Sequence, residues 1–240
     1  ACAGGVPYPG GGGTSFLFQT KEKTFLVDFG NDTLTNLPRY VNYEEPEYIL
    51  ISHLHYDHCL DIFPFLLVRR RMVNVIGPEG TKNTLRKLFE LLSSSPDKFY
   101  NKLIIEEINP EKIYHIGNVK VRFLKVIHNL PSYGMRIESK NKVIVYSSDT
   151  GWCDSLIESS KNADTLICEA TWQNEHSTAE NLKYHLNAEQ AGKIAAMANV
   201  KHLVLTHIKY DLNFERSIDE AKNFFNGTVT IASENKRIDI

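Results

Sequence analysis

Apolar positions along the chain follow two different periods. Residues 15–19 and 24–29 alternate and are rich in aromatic and β-branched side chains, and the polar turn 20–23 between them predicts a β-hairpin. Residues 47–52 read as a buried strand that runs directly into residues 53–58. Residues 59–68 have helical spacing and end in the basic run Arg69, Arg70, Arg71, where positive charge suits the helix dipole. Residues 73–76 predict a strand, 77–80 a turn and 81–92 a helix.

Beyond Pro96 the pattern shifts to strands. Residues 103–108, 112–115, 119–127, 133–138 and 142–147 read as consecutive strands joined by short turns. Strands at 165–168 and 202–206 flank a helix over 188–199, and 229–231 is a last strand. No repeat of fixed period is present, although strand and helix alternate loosely in each half. Two sheets with helices outside them, an α/β sandwich, is the expected architecture.

Composition narrows the class. A chain of 240 residues suits one domain, taken as residues 1–240, and is large enough to bury a core without disulfide staples. Hydrophobic residues at 42% and charged residues at 23% are ordinary for a globular protein. The 27 Lys and Arg nearly balance 29 Asp and Glu, for a formal charge of −2, which argues against a chain wrapped electrostatically around nucleic acid. Cys2, Cys59, Cys153 and Cys168 form no C-x-x-C pair and read as free thiols of a reducing compartment, with Cys59 a small packing residue. No stretch reaches the ~18 apolar residues of a membrane span, and residues 1–5 lack the charged and apolar regions of a signal peptide. The expectation is a soluble, cytoplasmic protein with no membrane association.

The string His53-Leu54-His55-Tyr56-Asp57-His58 carries the strongest chemical signal. A strand end and the loop after it place three imidazoles and a carboxylate in one small volume, a donor set suited to zinc, manganese or iron. Desolvating such a cluster without a cation is costly, so an incidental polar turn is the weaker explanation. Three further residues sit where strands end: His128 after 119–127, Asp149 after 142–147 and His207 after 202–206. Each alone is an ordinary loop residue; together with the string they supply the donors that two metals need. Gly10–Gly13 precede Thr14 without the Lys of a phosphate-binding loop, and read as a flexible or substrate-side loop.

With these residues in place the chain resembles the metallo-β-lactamase superfamily, in the branch containing ribonuclease Z and related phosphodiesterases. The motifs are Gly4-Gly5-Val6-Pro7-Tyr8-Pro9, Leu26-Val27-Asp28-Phe29-Gly30, the His-x-His-x-Asp-His string, Ser132-Tyr133-Gly134, Ser148-Asp149-Thr150, Glu169-Ala170-Thr171, His185-Leu186-Asn187-Ala188 and Leu205-Thr206-His207. The resemblance implies an αββα four-layer sandwich with two divalent metal ions at one edge, zinc first and manganese or iron as alternatives. It assigns His53, His55 and His128 to one ion and Asp57, His58 and His207 to the other, with Asp149 bridging. Such a pair activates water and clamps the oxygens of a phosphodiester. His185 matches the proton donor of ribonuclease Z-like enzymes, with Glu169 orienting it, so Asp57, His185 and Glu169 are the catalytic expectations. Asp28 and Asp32 are equally well explained as support for the site or as turn formers.

Two features depart from ribonuclease Z. Residues 129–148 leave no room for the long arm that grips transfer RNA, and glycines stand where basic residues are usual in the early loop. Cys168 replaces a common His, and Asn187 a common Thr. The expectation is therefore a phosphodiesterase for small or short substrates, with a homodimer as the one assembly considered and nucleic acid not favoured. The alternatives are a lactone, thioester or sulfate-ester hydrolase, a transfer RNA 3′ endonuclease, an iron oxidoreductase and a non-catalytic binding protein.

Overall fold

The computed structural model describes residues 5–6, 11–234 and 236–238. Gly4, Pro7, Tyr8 and Pro9 of the opening motif, together with Gly10 and Cys2, lie outside them. The first half contains β1 (Phe16–Gln19), β2 (Thr24–Val27), β3 (Tyr48–Leu50), α1 (Tyr56–Cys59), α2 (Ile62–Val68), β4 (Val73–Gly77), α3 (Thr81–Leu92), α4 (Pro96–Tyr100) and β5 (Leu103–Glu107). The second half contains β6 (Ile113–Ile116), β7 (Val119–Lys125), β8 (Tyr133–Ser139), β9 (Lys142–Tyr146), α5 (Asp154–Ser160), β10 (Thr165–Glu169), α6 (Ala188–Met197), β11 (His202–Thr206), α7 (Phe214–Lys222) and β12 (Thr228–Ile231).

Among the described residues the strands form a five-stranded sheet in sequential order, β1 to β5, and a seven-stranded sheet, β12-β11-β10-β9-β8-β7-β6. Alternation along each strand explains how they stack. In β2, Phe25 and Val27 enter the layer between the sheets, while Leu26 faces outward under the first-half helices. Leu50 faces inward and Ile49 and Ile51 outward, as the period-2 pattern requires. Val145 and Leu166 point the other way, toward α5 and α6. Three apolar layers separate four structural ones, which is the αββα sandwich.

Strand direction assembles the site edge. From β9 to β12 the pairing is parallel, and two antiparallel steps, β9 to β8 and β8 to β7, return β7 to the same direction. The C-terminal ends of β7, β9, β10 and β11 therefore lie along one edge, and the residues after them are neighbours.

Local differences from the sequence pattern have physical causes. The helix expected over 59–68 is two pieces, because Asp61 turns its carboxylate to the backbone N–H groups of Thr33 and Leu34, each at 2.7 Å. Arg69 does not face solvent to meet a helix dipole. It is 2% exposed and donates to the carbonyls of Tyr43, Arg71 and Met72. Gly11–Gly13 are buried: the Gly13 N–H donates to Asn31 O, and a Cβ there would meet Asp57 O at 2.7 Å. Those glycines permit close backbone packing under the metal-string loop; the expected flexible loop is absent at 11–13. Asn187 caps α6 through a reciprocal box with Gln190, a role Thr also fills.

Candidate metal centre

The His-rich string begins as a loop off β3 and closes into the single turn of α1. Asp57 O and His58 O accept the N–H groups of Thr14 and Phe29, both at 2.7 Å, which fixes the turn against the first hairpin. His53 and His55 stand before the turn and Asp57 and His58 within it, so the four side chains diverge around one volume. His128, Asp149, Glu169 and His207 enter from the ends of β7, β9, β10 and β11.

Three overlapping donor groups result among the described residues, one of them Asp149, His185 and His207. Ligand-competent atoms of His53, His55, His128 and Asp149 lie within 4.8 Å of one another, as do those of Asp57, His58 and His207. Asp149 belongs to both neighbourhoods: one oxygen is 3.5 Å from His58 Nε2, and the other is 3.2 Å from His207 Nε2 and 3.7 Å from His53 Nε2. All seven sequence-nominated metal residues are thus brought together.

Hydrogen bonding determines which ring nitrogens are free. Asp28 Oδ2 accepts from His58 Nδ1 at 2.8 Å, leaving His58 Nε2 for the centre. Tyr184 O accepts from His128 Nδ1 at 3.0 Å, which frees His128 Nε2. The Ser52 hydroxyl donates to Asp28 Oδ2 at 2.8 Å, so its oxygen accepts from His53 Nδ1 at 3.1 Å and frees His53 Nε2. The His53 and His128 Nε2 atoms then face His55 Nδ1 at 3.0 and 3.3 Å. Ligands of a tetrahedral zinc, with Zn–N of ~2.0–2.1 Å, stand ~3.3 Å apart. His58 Nε2 and Asp149 Oδ1 are buried and make no hydrogen bond. Buried polar atoms are rarely left without a partner, and these two point into the volume a cation would fill. The donor set fits divalent metal.

Electrostatics divide the histidines. Burial, reinforced by neighbouring imidazoles, holds His53 well below the ordinary imidazole value, and burial also lowers His55 and His128. Neutral imidazole is the ligating form. For His185 burial also disfavours charge, but Glu169 at 3.1 Å overcomes it and pushes the ring up to about 9. His58 is raised despite complete burial because Asp149 and Asp28 flank it, and a cation would occupy the place of that proton. The His207 and His58 imidazoles hold the Asp149 carboxyl well below the usual range against the effect of burial.

Cys59 is no ligand. Its thiol is pushed up to about 12 by burial and by Asp28 and Asp57, and its Sγ donates to His55 O. Cys59, Cys153 and Cys168 are free, and Cys168 packs in the apolar layer under α6. Asp28, left open between two roles by sequence, is fully buried and holds His58; Asp32 makes no comparable contact with the site. Ser52 and Tyr146 were not nominated by sequence, since a lone Ser in a strand end and a Tyr in an apolar run give no local signal. Asp28, Ser148 and His207 adopt left-handed backbone angles, with φ of 55°, 57° and 57°, a strain of about 1–3 kcal/mol each that concentrates at functional sites.

Residues 23–208 match the family described as Beta-lactamase superfamily domain. The probable metallo-hydrolase YhfI of Bacillus subtilis is 32% identical over 96% of this chain and 94% of its own length. The YhfI crystal structure superposes with a TM-score of 0.85 at 30% identity, covering 97% of this chain and 93% of that one. Ribonuclease Z of Ignicoccus hospitalis is 29% identical over 83% of each chain. A diphosphatase of the PhnP family shares the fold with a TM-score of 0.75 at 20% identity, over 94% of this chain and 83% of its own. Fold and site define a metallo-hydrolase of the β-lactamase fold. The chain belongs to the metallo-β-lactamase superfamily, in its ribonuclease Z-like branch.

Proposed function

We propose that the chain is a dinuclear phosphodiesterase acting on small or short phosphodiesters, such as nucleotide-derived ones. His53, His55 and His128 would hold one cation and Asp57, His58 and His207 the other, with Asp149 shared. Zinc suits the nitrogen-rich set best. When bound, two such ions lower the pKa of water and neutralise charge on the phosphate.

What this chain adds is a proton for the leaving oxygen, and the pair His185 and Glu169 carries the reading. Glu169 is fully buried and its oxygens accept from the N–H groups of Thr150 at 2.6 Å and Leu186 at 3.0 Å. So held, it engages His185 Nδ1 at 3.1 Å and leaves only Nε2 to meet a substrate. The ring stays protonated at neutral pH, whereas burial lowers the neighbouring His128. An alkoxide leaving group needs such an acid, whereas the thiolate of a thioester leaves readily without one. The relatives named ribonuclease Z and diphosphatase act at phosphorus by name, which supports the same class. The transfer RNA arm has no counterpart here, because residues 129–148 are taken up by β8, β9 and their turns.

His185 also lies within 4.8 Å of Asp149 and His207, close enough to be a ligand itself. The His185→Ala variant separates the roles. Both metals should remain, the rate on an alkyl-leaving diester should fall by ~10²–10⁴, and the rate on a p-nitrophenolate-leaving diester should fall much less. Loss of metal, or equal losses on both substrates, would overturn the assignment.

A further inference from the structure

β10 ends at Glu169, and two residues later Thr171 reaches the site edge, 5% exposed. Its hydroxyl oxygen touches three polar atoms: Glu169 Oε2 at 2.7 Å, His207 Nδ1 at 2.9 Å and His185 Nδ1 at 3.2 Å. A hydroxyl has one proton to give. Of the three neighbours, the carboxylate oxygen is the one that can only accept, and it is the nearest. The proton therefore goes to Glu169, and the Thr171 oxygen must accept from the rings. His185 Nδ1 already donates to Glu169 Oε1 and shares its proton between the two acceptors. His207 Nδ1 makes no other hydrogen bond among the described residues, so Thr171 is the acceptor that draws the ring proton to Nδ1, against the Asp57 carboxylate at Nε2, 3.3 Å away.

That tautomer matters at the opposite side of the ring. With Nδ1 protonated, His207 Nε2 carries a lone pair, and it stands 3.2 Å from Asp149 Oδ2 and 3.3 Å from Asp57 Oδ2. A lone pair facing two carboxylates is the arrangement a cation resolves. We propose that Thr171 is a positioning residue with two dependants: it presents His207 Nε2 to the metal, and it braces Glu169, through which His185 is held. One oxygen thereby ties the metal side of the centre to the proton-donating side. The second half of this assignment rests on the proposed phosphodiesterase reading; the first half concerns metal retention alone.

Packing by itself would leave a different signature. Valine reproduces the shape of threonine without its hydroxyl, while serine keeps the hydroxyl and drops the methyl group. In zinc-loaded Thr171→Val, competition with a chelator should remove one of two equivalents ~10–100-fold more readily than in the parent, the usual effect of losing a ligand's outer partner. Thr171→Ser should recover most of that loss. On an alkyl-leaving diester, Thr171→Val should lower kcat with KM little changed, and less so with p-nitrophenolate leaving. Ring-nitrogen chemical shifts of His207 in the zinc-loaded parent provide a check that needs no variant: the proton should reside on Nδ1. A proton on Nε2, parent-like metal retention in Thr171→Val, or equal failure of the Ser and Val variants would overturn the proposal. If the parent hydrolyses no diester while Thr171→Val still sheds one metal, the functional reading fails and the hold on His207 stands.

Discussion

Tyr146 and Asp28 meet across the gap between the two sheets, the phenol donating to Asp28 Oδ2 at 2.7 Å with both side chains out of solvent. Burial and the nearby carboxylates of Asp28 and Asp149 push the Tyr146 phenol well up, so it remains a donor. Asp28 also receives the N–H and hydroxyl of Ser52 and Nδ1 of His58, at 2.7, 2.8 and 2.8 Å. One carboxylate thus binds the second sheet to the first and sets the ring of His58.

Asp28→Asn turns an amide N–H₂ toward donors and removes the acceptor that orients His58. Metal affinity at the Asp57, His58 and His207 group should fall by ~10–100-fold, read by elemental analysis after graded chelation. Tyr146→Phe removes one of several donors to that carboxylate and should cost about 1.5–3 kcal/mol in urea unfolding, with metal affinity little changed. A larger loss of metal in Tyr146→Phe than in Asp28→Asn would contradict this order of importance.

Two donor groups with a shared Asp149 predict two metal equivalents per chain after gentle reconstitution. Asp149→Ala should disturb both, because its carboxylate reaches His53 of one group and His58 and His207 of the other. A parent that saturates at one equivalent, with His58 and His207 dispensable, would remove the dinuclear reading.

Precursor transfer RNA should bind weakly and with a steep salt dependence, since phosphate contacts set that slope and the arm is missing. Filter binding at two salt concentrations, on whatever oligomer the protein forms, is sufficient. Nanomolar affinity at physiological salt together with accurate 3′ cleavage is the outcome that would refute it.

Gly30 packs directly against the carbonyl of Asp57, and a methyl group there would overlap it. Overpacking a core usually costs ~1–3 kcal/mol; here the obstacle is backbone on both sides, so Gly30→Ala should exceed that range. It should also displace Asp57 and cost metal. Thermal unfolding and metal content measured together test the coupling; a stable Gly30→Ala with full metal would show that the loop yields.

Much of this protein is readable along the chain, because the readable parts are local. Period-2 alternation in Thr24–Val27 and Tyr48–Leu50 encodes which face enters the inter-sheet layer, and Leu85 and Phe89 mark the buried stripe of α3. The seven candidate ligands are visible because they follow strand ends or crowd into six consecutive residues. Short helices are less legible: α5 and α7 carry few apolar residues, and their stability comes from packing on the second sheet. What only the tertiary structure decided is the division of labour. The tautomers of His53, His58, His128 and His207 depend on Ser52, Asp28, the Tyr184 carbonyl and Thr171, and most of these partners lie far away in sequence. Asp28 meets Tyr146 at a sequence separation of 118, and no local pattern records that pairing. Arg69 likewise turns inward because three carbonyls stranded by neighbouring turns need a donor, a demand created only when the chain has folded.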